Sequence, residues 1–265
     1  MAKLKPDPIS AQDLADFVAD ESDFAFEMQV LRLLRAAGFN CSHSGTYRDP
    51  VTDKIRQFDI RAVKSQRYGT LALAVECKNI RPSNPILLSA VPRTEPEAFH
   101  SLLVLHQSTN YSYCEVQLRS GSQSRYRPGE MVGKRTDQVG RDTSEALVSN
   151  DEAAFEKLNQ AVNSCQELVR QYADERFEPL RRAIVPVLVV PAGLLWQVDY
   201  DEDGAVAIAP RRVGSATLFY DHAWSTMPRG QGLISYRISH VEFVTAETLP
   251  DHANWLLGEV GFFPP

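Results

Sequence analysis

The chain has few cysteines and none of them paired. Cys41, Cys77, Cys114 and Cys165 are widely spaced and form no CxxC pair, which excludes a disulfide framework and a zinc ribbon as organising devices. Buried thiols in a reducing cytoplasm are the expectation. An apolar leader is also lacking, since Met1-Ala2-Lys3-Leu4-Lys5-Pro6 does not read as a signal peptide. The apolar run Val187 to Trp196 is too short to span a bilayer and is interrupted by Pro191, so no membrane contact is expected. There is no excess of positive charge: a net charge of −6 and a pI near 5.6 count against a general nucleic-acid coat protein. No internal repeat, heptad run or low-complexity tail is present. His222, His240 and His252 are scattered, and Asp199, Asp201, Glu202 and Asp203 lack EF-hand spacing and read as a solvated turn. What remains is an ordinary globular composition, 43% hydrophobic over 265 residues, long enough to bury a full core.

The informative segment is Glu76-Cys77-Lys78, which closes the apolar run Leu71-Ala72-Leu73-Ala74-Val75. On a strand, Glu76 and Lys78 share one face. Ala72 and Ala74 precede them on that face while Leu71, Leu73, Val75 and Cys77 fill the other, which suggests a strand buried on both sides. Asp59 belongs to the preceding strand-like segment, Ile55 to Val63, and the turn between the two centres on Arg67 and Tyr68. That hairpin places Asp59 opposite Glu76, with Cβ atoms roughly 5 Å apart. Facing carboxylates repel unless a cation lies between them, and a hard divalent ion with oxygen ligands is the natural occupant. A third acid, Glu27, lies in the predicted helix from Ser22 to Ala37, inside an apolar arc of Phe24, Met28, Leu31 and Leu34. A carboxylate in such an arc needs a metal or a partner, the candidate partners being Arg56 and Lys78.

With Glu27 on a first helix, Asp59 on a second strand and Glu76-Cys77-Lys78 on a third, the chain resembles the PD-(D/E)xK, restriction-endonuclease-like nuclease superfamily. The resemblance covers residues 22 to 80 and, in outline, 150 to 191; Gln57-Phe58-Asp59 stands where the motif has Pro-Asp. It implies an α/β restriction-endonuclease-like core of a helix, a three-stranded antiparallel meander, a helix and a strand. It further implies a Mg²⁺- or Mn²⁺-dependent endonuclease acting on nucleic acid, DNA above RNA, and leaving a 5′-phosphate. Asp59, Glu76 and the main-chain carbonyl of Cys77 would hold the metal, Lys78 would orient water, and Glu27 would complete the site through a metal-bound water. A homodimer is left open.

The remaining organisation follows from periodicity. Helices are predicted at Ser10–Asp20, Asp151–Phe177 and Leu249–Glu259, and an apolar strand at Ala183–Val190 completes a strand, helix, strand crossover. Asp201-Glu202-Asp203-Gly204 joins the strands Leu194–Tyr200 and Ala205–Ala209 as a hairpin. Further strands are predicted at Thr217–Tyr220, Ile234–Ser239 and Val241–Val244. The nuclease core that the resemblance implies spans residues 1–200, with an insertion at about 81–149; within it the stretch punctuated by Pro82, Pro85, Pro92 and Pro96 is expected as a lid or helical insertion, and Leu102–Leu105 and Tyr113–Leu118 as strand or helix fragments. Residues 201–265 add C-terminal strands and a helix to the same domain. The densest basic stretch, Arg119 to Arg141, holds six basic residues against Glu130 and Asp137 and suits a phosphate backbone, a solvated loop being the plainer alternative. Arg125, Arg127, Lys134 and Arg135, with Lys54 and Arg56 from the first hairpin, are the candidate nucleic-acid contacts. Two other classes fit the same residues. One is a catalytically inactive nuclease-like module for nucleic-acid binding or protein assembly. The other is a protein-interaction domain, favoured if Glu76 and Lys78 lie on an exposed sheet face.

Overall fold

A computed structural model describes residues 7–20, 22–67, 69–106, 112–119, 126–149, 152–174, 181–226 and 234–258. The chain opens with helices α1 (Ala11–Asp20) and α2 (Phe24–Ala36). After α2, Phe39 N donates to Leu34 O and Gly38 N to Arg35 O. This is a Schellman cap, closed without strain because Gly38 tolerates its φ of 85°. The buried side of α2 is Phe26, Val30, Leu31 and Leu34, whereas Phe24 and Met28 are exposed. The apolar arc is therefore displaced from the predicted one, and Phe24 lies edge-on to His43 instead.

Strands β1 (Asn40–His43), β2 (Thr46–Arg48), β3 (Ile55–Gln57) and β4 (Ile60–Gln66) make the first hairpin. The sequence reads as two long strands, Asn40 to Tyr47 and Lys54 to Val63, joined by a turn at Asp49 to Asp53, and each is broken once. β1 pairs with β4 in the main sheet and β2 with β3 in a separate two-stranded sheet, yet Asn40 faces Val63 and Thr46 faces Gln57, so one register runs through both. At the break Ser44 N donates to Asp59 O and Phe58 N to Gly45 O. Ser44 takes a positive φ of 54°. A Cβ at Gly45 would meet the Phe58 ring at 2.4 Å, so this residue must be glycine for the ring to pack where it does. The kink leaves Asp59 just outside β4 with its side chain free to turn toward the next strand.

That strand, β5 (Gly69–Cys77), is buried at every position, which removes the exposed-face reading of Glu76. The proline-punctuated stretch holds β6 (Ile86–Pro92) and a 3₁₀ turn at Glu95–Glu97 where a lid or helical insertion is expected, the two ambiguous fragments are the strands β7 (Phe99–His106) and β8 (Ser112–Arg119), and β9 (Met131–Arg141) and β10 (Leu147–Ser149) follow. There follow α3 (Glu152–Asp174), β11 (Arg181–Val190), β12 (Leu195–Tyr200), β13 (Val206–Arg212), β14 (Ser215–Thr226), β15 (Ile234–Thr245) and α4 (Leu249–Leu257). The two predicted strands between Ile234 and Val244 are one. The fold is mixed α/β with a 13-stranded mixed sheet, ordered β1-β4-β5-β11-β15-β14-β9-β6-β12-β13 along its main path. β11 lies parallel to both β5 and β15, as its unbroken apolar sequence requires of a strand covered on both faces.

On one face Leu71, Leu73, Val75, Val185 and Val187 pack against Val30 and Leu34 of α2 and Leu249 and Ala253 of α4. On the other, Ala72, Ala74 and Ile184 meet Leu168 and Val169 of α3, and Leu188 and Phe243 meet Leu158 and Val162. Each fully buried Leu or Val contributes roughly 1.5–3 kcal/mol. The small Ala72 and Ala74 let α3 approach β5 closely, which brings the helix within reach of Glu76. Among the described residues no helix is long and apolar enough to cross a membrane.

Candidate active site

The β4–β5 register pairs Ile60 with Val75, so Asp59, one residue earlier, meets Glu76 across the hairpin as its alternation requires. Cys77 N donates to Asp59 Oδ2 at 2.8 Å, which pins the carboxylate at the kink. The two carboxyls are close enough for the charge of one to act on the other. Glu76 is 1% exposed. Burial, and next the charge of Asp59, push its carboxyl well above the usual carboxylate range.

The cation between these acids is one that the hairpin reading did not supply. Lys157 of α3 places its Nζ 2.9 Å from Asp59 Oδ2 and 3.3 Å from Glu76 Oε2. Burial works against its charge, but Asp59 and Glu76 outweigh burial and hold the ammonium protonated above its ordinary pKa. Lys78 begins the segment after β5, where its backbone N donates to Val189 O. Its half-buried side chain has no hydrogen bond or ion pair among the described residues. The lysine that engages the acids is therefore Lys157. A sequence signal for it exists: Lys157 precedes Ala161 by four residues and Ser164 by seven, both on the buried stripe of α3, and a lysine there needs a partner.

Glu27 pairs neither with Arg56 nor with Lys78. Its Oε2 lies 2.9 Å from His43 Nε2, although its charge still reaches Cys77 between the other two acids. Asp23, at the start of α2, accepts from Asn79 N at 3.1 Å and adds its field to Lys157. The start of α2, the end of β5 and the first turns of α3 thus converge on one cluster of acids with a single engaged ammonium.

Among the described residues no three His, Cys, Asp or Glu side chains form a metal-holding group. A hard ion that retains most of its water needs only one or two carboxylates, and Glu76 Oε1 is buried without a hydrogen-bond partner. Asp59 and Glu76 are two such carboxylates, with Lys157 already carrying part of the compensating charge.

The candidate nucleic-acid contacts are placed elsewhere or already engaged. Arg125 and the side chain of Arg119 lie outside the described residues. Arg127 pairs with Glu130, Lys134 with Glu97 and Arg135 with Asp137; such partly exposed pairs contribute about 0–1 kcal/mol and yield readily to a phosphate. Lys134 and Arg135 sit on β9, four strands from β5 and so about 19 Å along the sheet. Lys54 is exposed at the hairpin turn, and Arg56 is held by Asp49 at 3.1 Å and Glu156 at 3.7 Å. Compared with known proteins, the chain matches no family model, no curated protein and no solved structure.

Proposed function

We propose that the chain is a metal-dependent nuclease that hydrolyses phosphodiester bonds of nucleic acid, with DNA as the preferred substrate. The observation that carries this is the Asp59–Glu76–Lys157 cluster, in which two facing carboxyls share one ammonium and a buried carboxylate oxygen is left unpartnered. Asp59, Glu76 and the Cys77 carbonyl would hold Mg²⁺ or Mn²⁺, which supplies Lewis acidity at a phosphoryl oxygen and an acidified water. Lys157 is held protonated, so it serves as a fixed positive charge and hydrogen-bond donor toward charge developing on phosphate oxygens, not as a proton acceptor. Cys77 N keeps Asp59 in place, and the Glu27–His43 pair borders the cluster. Incubation with plasmid, linear and single-stranded DNA and with RNA, in Mg²⁺, Mn²⁺ or chelator, tests the reading. Metal-stimulated cleavage that disappears in Glu76→Gln is expected. Absence of cleavage on all four substrates would overturn it.

One observation favours a second reading. Lys157 already stands where a divalent ion was expected, as it would in a nuclease-like module that binds nucleic acid or serves assembly without catalysis. Metal titration separates the two: the module gives no Asp59- and Glu76-dependent binding of Mg²⁺ or Mn²⁺.

A further inference from the structure

A cavity of about 620 Å³ lies between the β2–β3 hairpin, α3 and β14, within the size range of small-ligand sites, roughly 300–1,000 Å³. Tyr47 connects it to the acid cluster. The buried phenol donates to the main-chain oxygen of Gln160 at 3.4 Å, and its hydroxyl feels Glu76 as well as Asp49 of the cavity wall.

The chemistry of the wall is that of a neutral, flat ligand. Asp49 Oδ1 accepts from Val51 N, Thr52 N and the Thr52 hydroxyl, and its Oδ2 is met by Asn163 Nδ2 at 3.2 Å and Arg56 Nε at 3.1 Å. These bonds outweigh burial and keep the carboxyl ionised, below its ordinary pKa. An ionised carboxylate only accepts, so Asn163 must present its NH₂ to Asp49, which leaves Asn163 Oδ1 as an accessible acceptor. One helical turn earlier, Asn159 Oδ1 accepts from the Tyr220 hydroxyl at 2.7 Å, which leaves Asn159 Nδ2 as an accessible donor. Arg56, neutralised by Asp49 and Glu156, is not available as a phosphate clamp. Phe155, 54% exposed on the same helix face, and His222, edge-to-face with Tyr220 and tilted against Trp224, add ring surface.

We infer that this cavity binds an unstacked nucleobase of the substrate, its face against Phe155 or His222 and its edge read by Asn159 and Asn163. This rests on the nuclease reading and narrows it to strands with an unpaired base beside the scissile phosphate. Bases are taken up in this way, by aromatic stacking and edge hydrogen bonds, only when single-stranded or turned out of a duplex.

Fluorescence anisotropy in chelator, where hydrolysis is silent, tests the inference with a labelled single-stranded DNA, its duplex and an abasic version of the same strand. Wild type should favour the single strand, bind the abasic strand about tenfold more weakly, and lose about fivefold or more in affinity for the intact strand in Phe155→Ala. Phe155 is exposed, so that variant should keep the wild-type melting temperature. Asn159→Ala with Asn163→Ala should shift affinities among homopolymer strands. Equal binding of intact and abasic strands, or unchanged binding in Phe155→Ala, would overturn the inference even if the protein cleaves DNA. Base-dependent binding without cleavage in metal would uphold the cavity and sink the nuclease reading.

Discussion

Two buried glutamates sit almost level on opposite faces of the same sheet, and they are treated differently. In β11, Leu188 pairs with Glu76 of β5 while its neighbour Val187 pairs with Glu242 of β15, so Glu76 faces α3 and Glu242 faces α4. Glu242 is complete: Oε1 accepts from the Tyr126 hydroxyl at 2.6 Å, and Oε2 accepts from the Thr217 hydroxyl at 3.1 Å and lies 3.0 Å from His252 Nε2. Behind it, His240 Nε2 stands 2.6 Å from Arg93. Glu76 has one oxygen on Lys157, the other on nothing, and an acid for a neighbour. A buried carboxylate with both oxygens met fixes a core, and one with an orphaned oxygen is tolerated where something else is to bind. Equal burial of the two carboxyls thus goes with a structural part in one case and a proposed reactive part in the other.

The sharpest way to break that contrast is to neutralise each glutamate. Glu76→Gln should reduce metal-stimulated cleavage to background while the melting temperature stays level or rises, since it removes repulsion from Asp59. A large drop in melting temperature would make Glu76 a second structural acid. Lys157→Met should slow cleavage about 10²–10³-fold, and Lys78→Met less than about tenfold; initial rates under matched metal decide which lysine belongs to the site. Glu242→Ala should cost about 3 kcal/mol in urea unfolding, because it strands partners in a closed interior, and should leave cleavage per folded molecule unchanged.

A further effect is graded with pH and belongs to the Glu242 side. Burial, opposed weakly by Glu242, pushes His100 down to about 3. Burial, then Arg93, His100 and Lys134, hold His240 well below its usual value. The unfolded chain takes up these protons near pH 6.5 and the folded chain does not. Stability from this source is therefore full above about pH 6.5 and declines as the pH falls toward 3. His100→Gln should flatten the acid limb of stability against pH. An unchanged limb would mean that other groups set it.

The first hairpin, β5, the crossover through α3 to β11 and the C-terminal helix were legible because alternation, turn residues and a helical stripe each point one way. The register of Asp59 against Glu76 followed from the same local signals. Lys157 was not found, because its partners lie 98 and 81 residues away and only its place on the buried stripe hints at them. Glu27 was read against Arg56 and Lys78, whereas His43 meets it, a side chain that the predicted strand did not orient because the kink at Ser44 intervenes. β6 escaped notice for another reason: its sequence Ile86 to Pro92 does not alternate in polarity although its burial does, and the prolines around it masked a strand that pairs with β9 and β12 far along the chain.

The same spacing sets an order of events in time. Asp59 and Cys77 are 18 residues apart and are joined by a tight hairpin, so this contact closes early, whereas α3 must fold and dock across a long loop before Lys157 arrives. During refolding the two acids therefore meet first without their ammonium, and the nascent hairpin carries an uncompensated negative charge until the helix lands. Mild acid or a divalent ion present at the start of refolding should hasten hairpin closure by standing in for the missing ammonium. The ammonium thus reaches the cluster later than the hairpin contact that prepares its place.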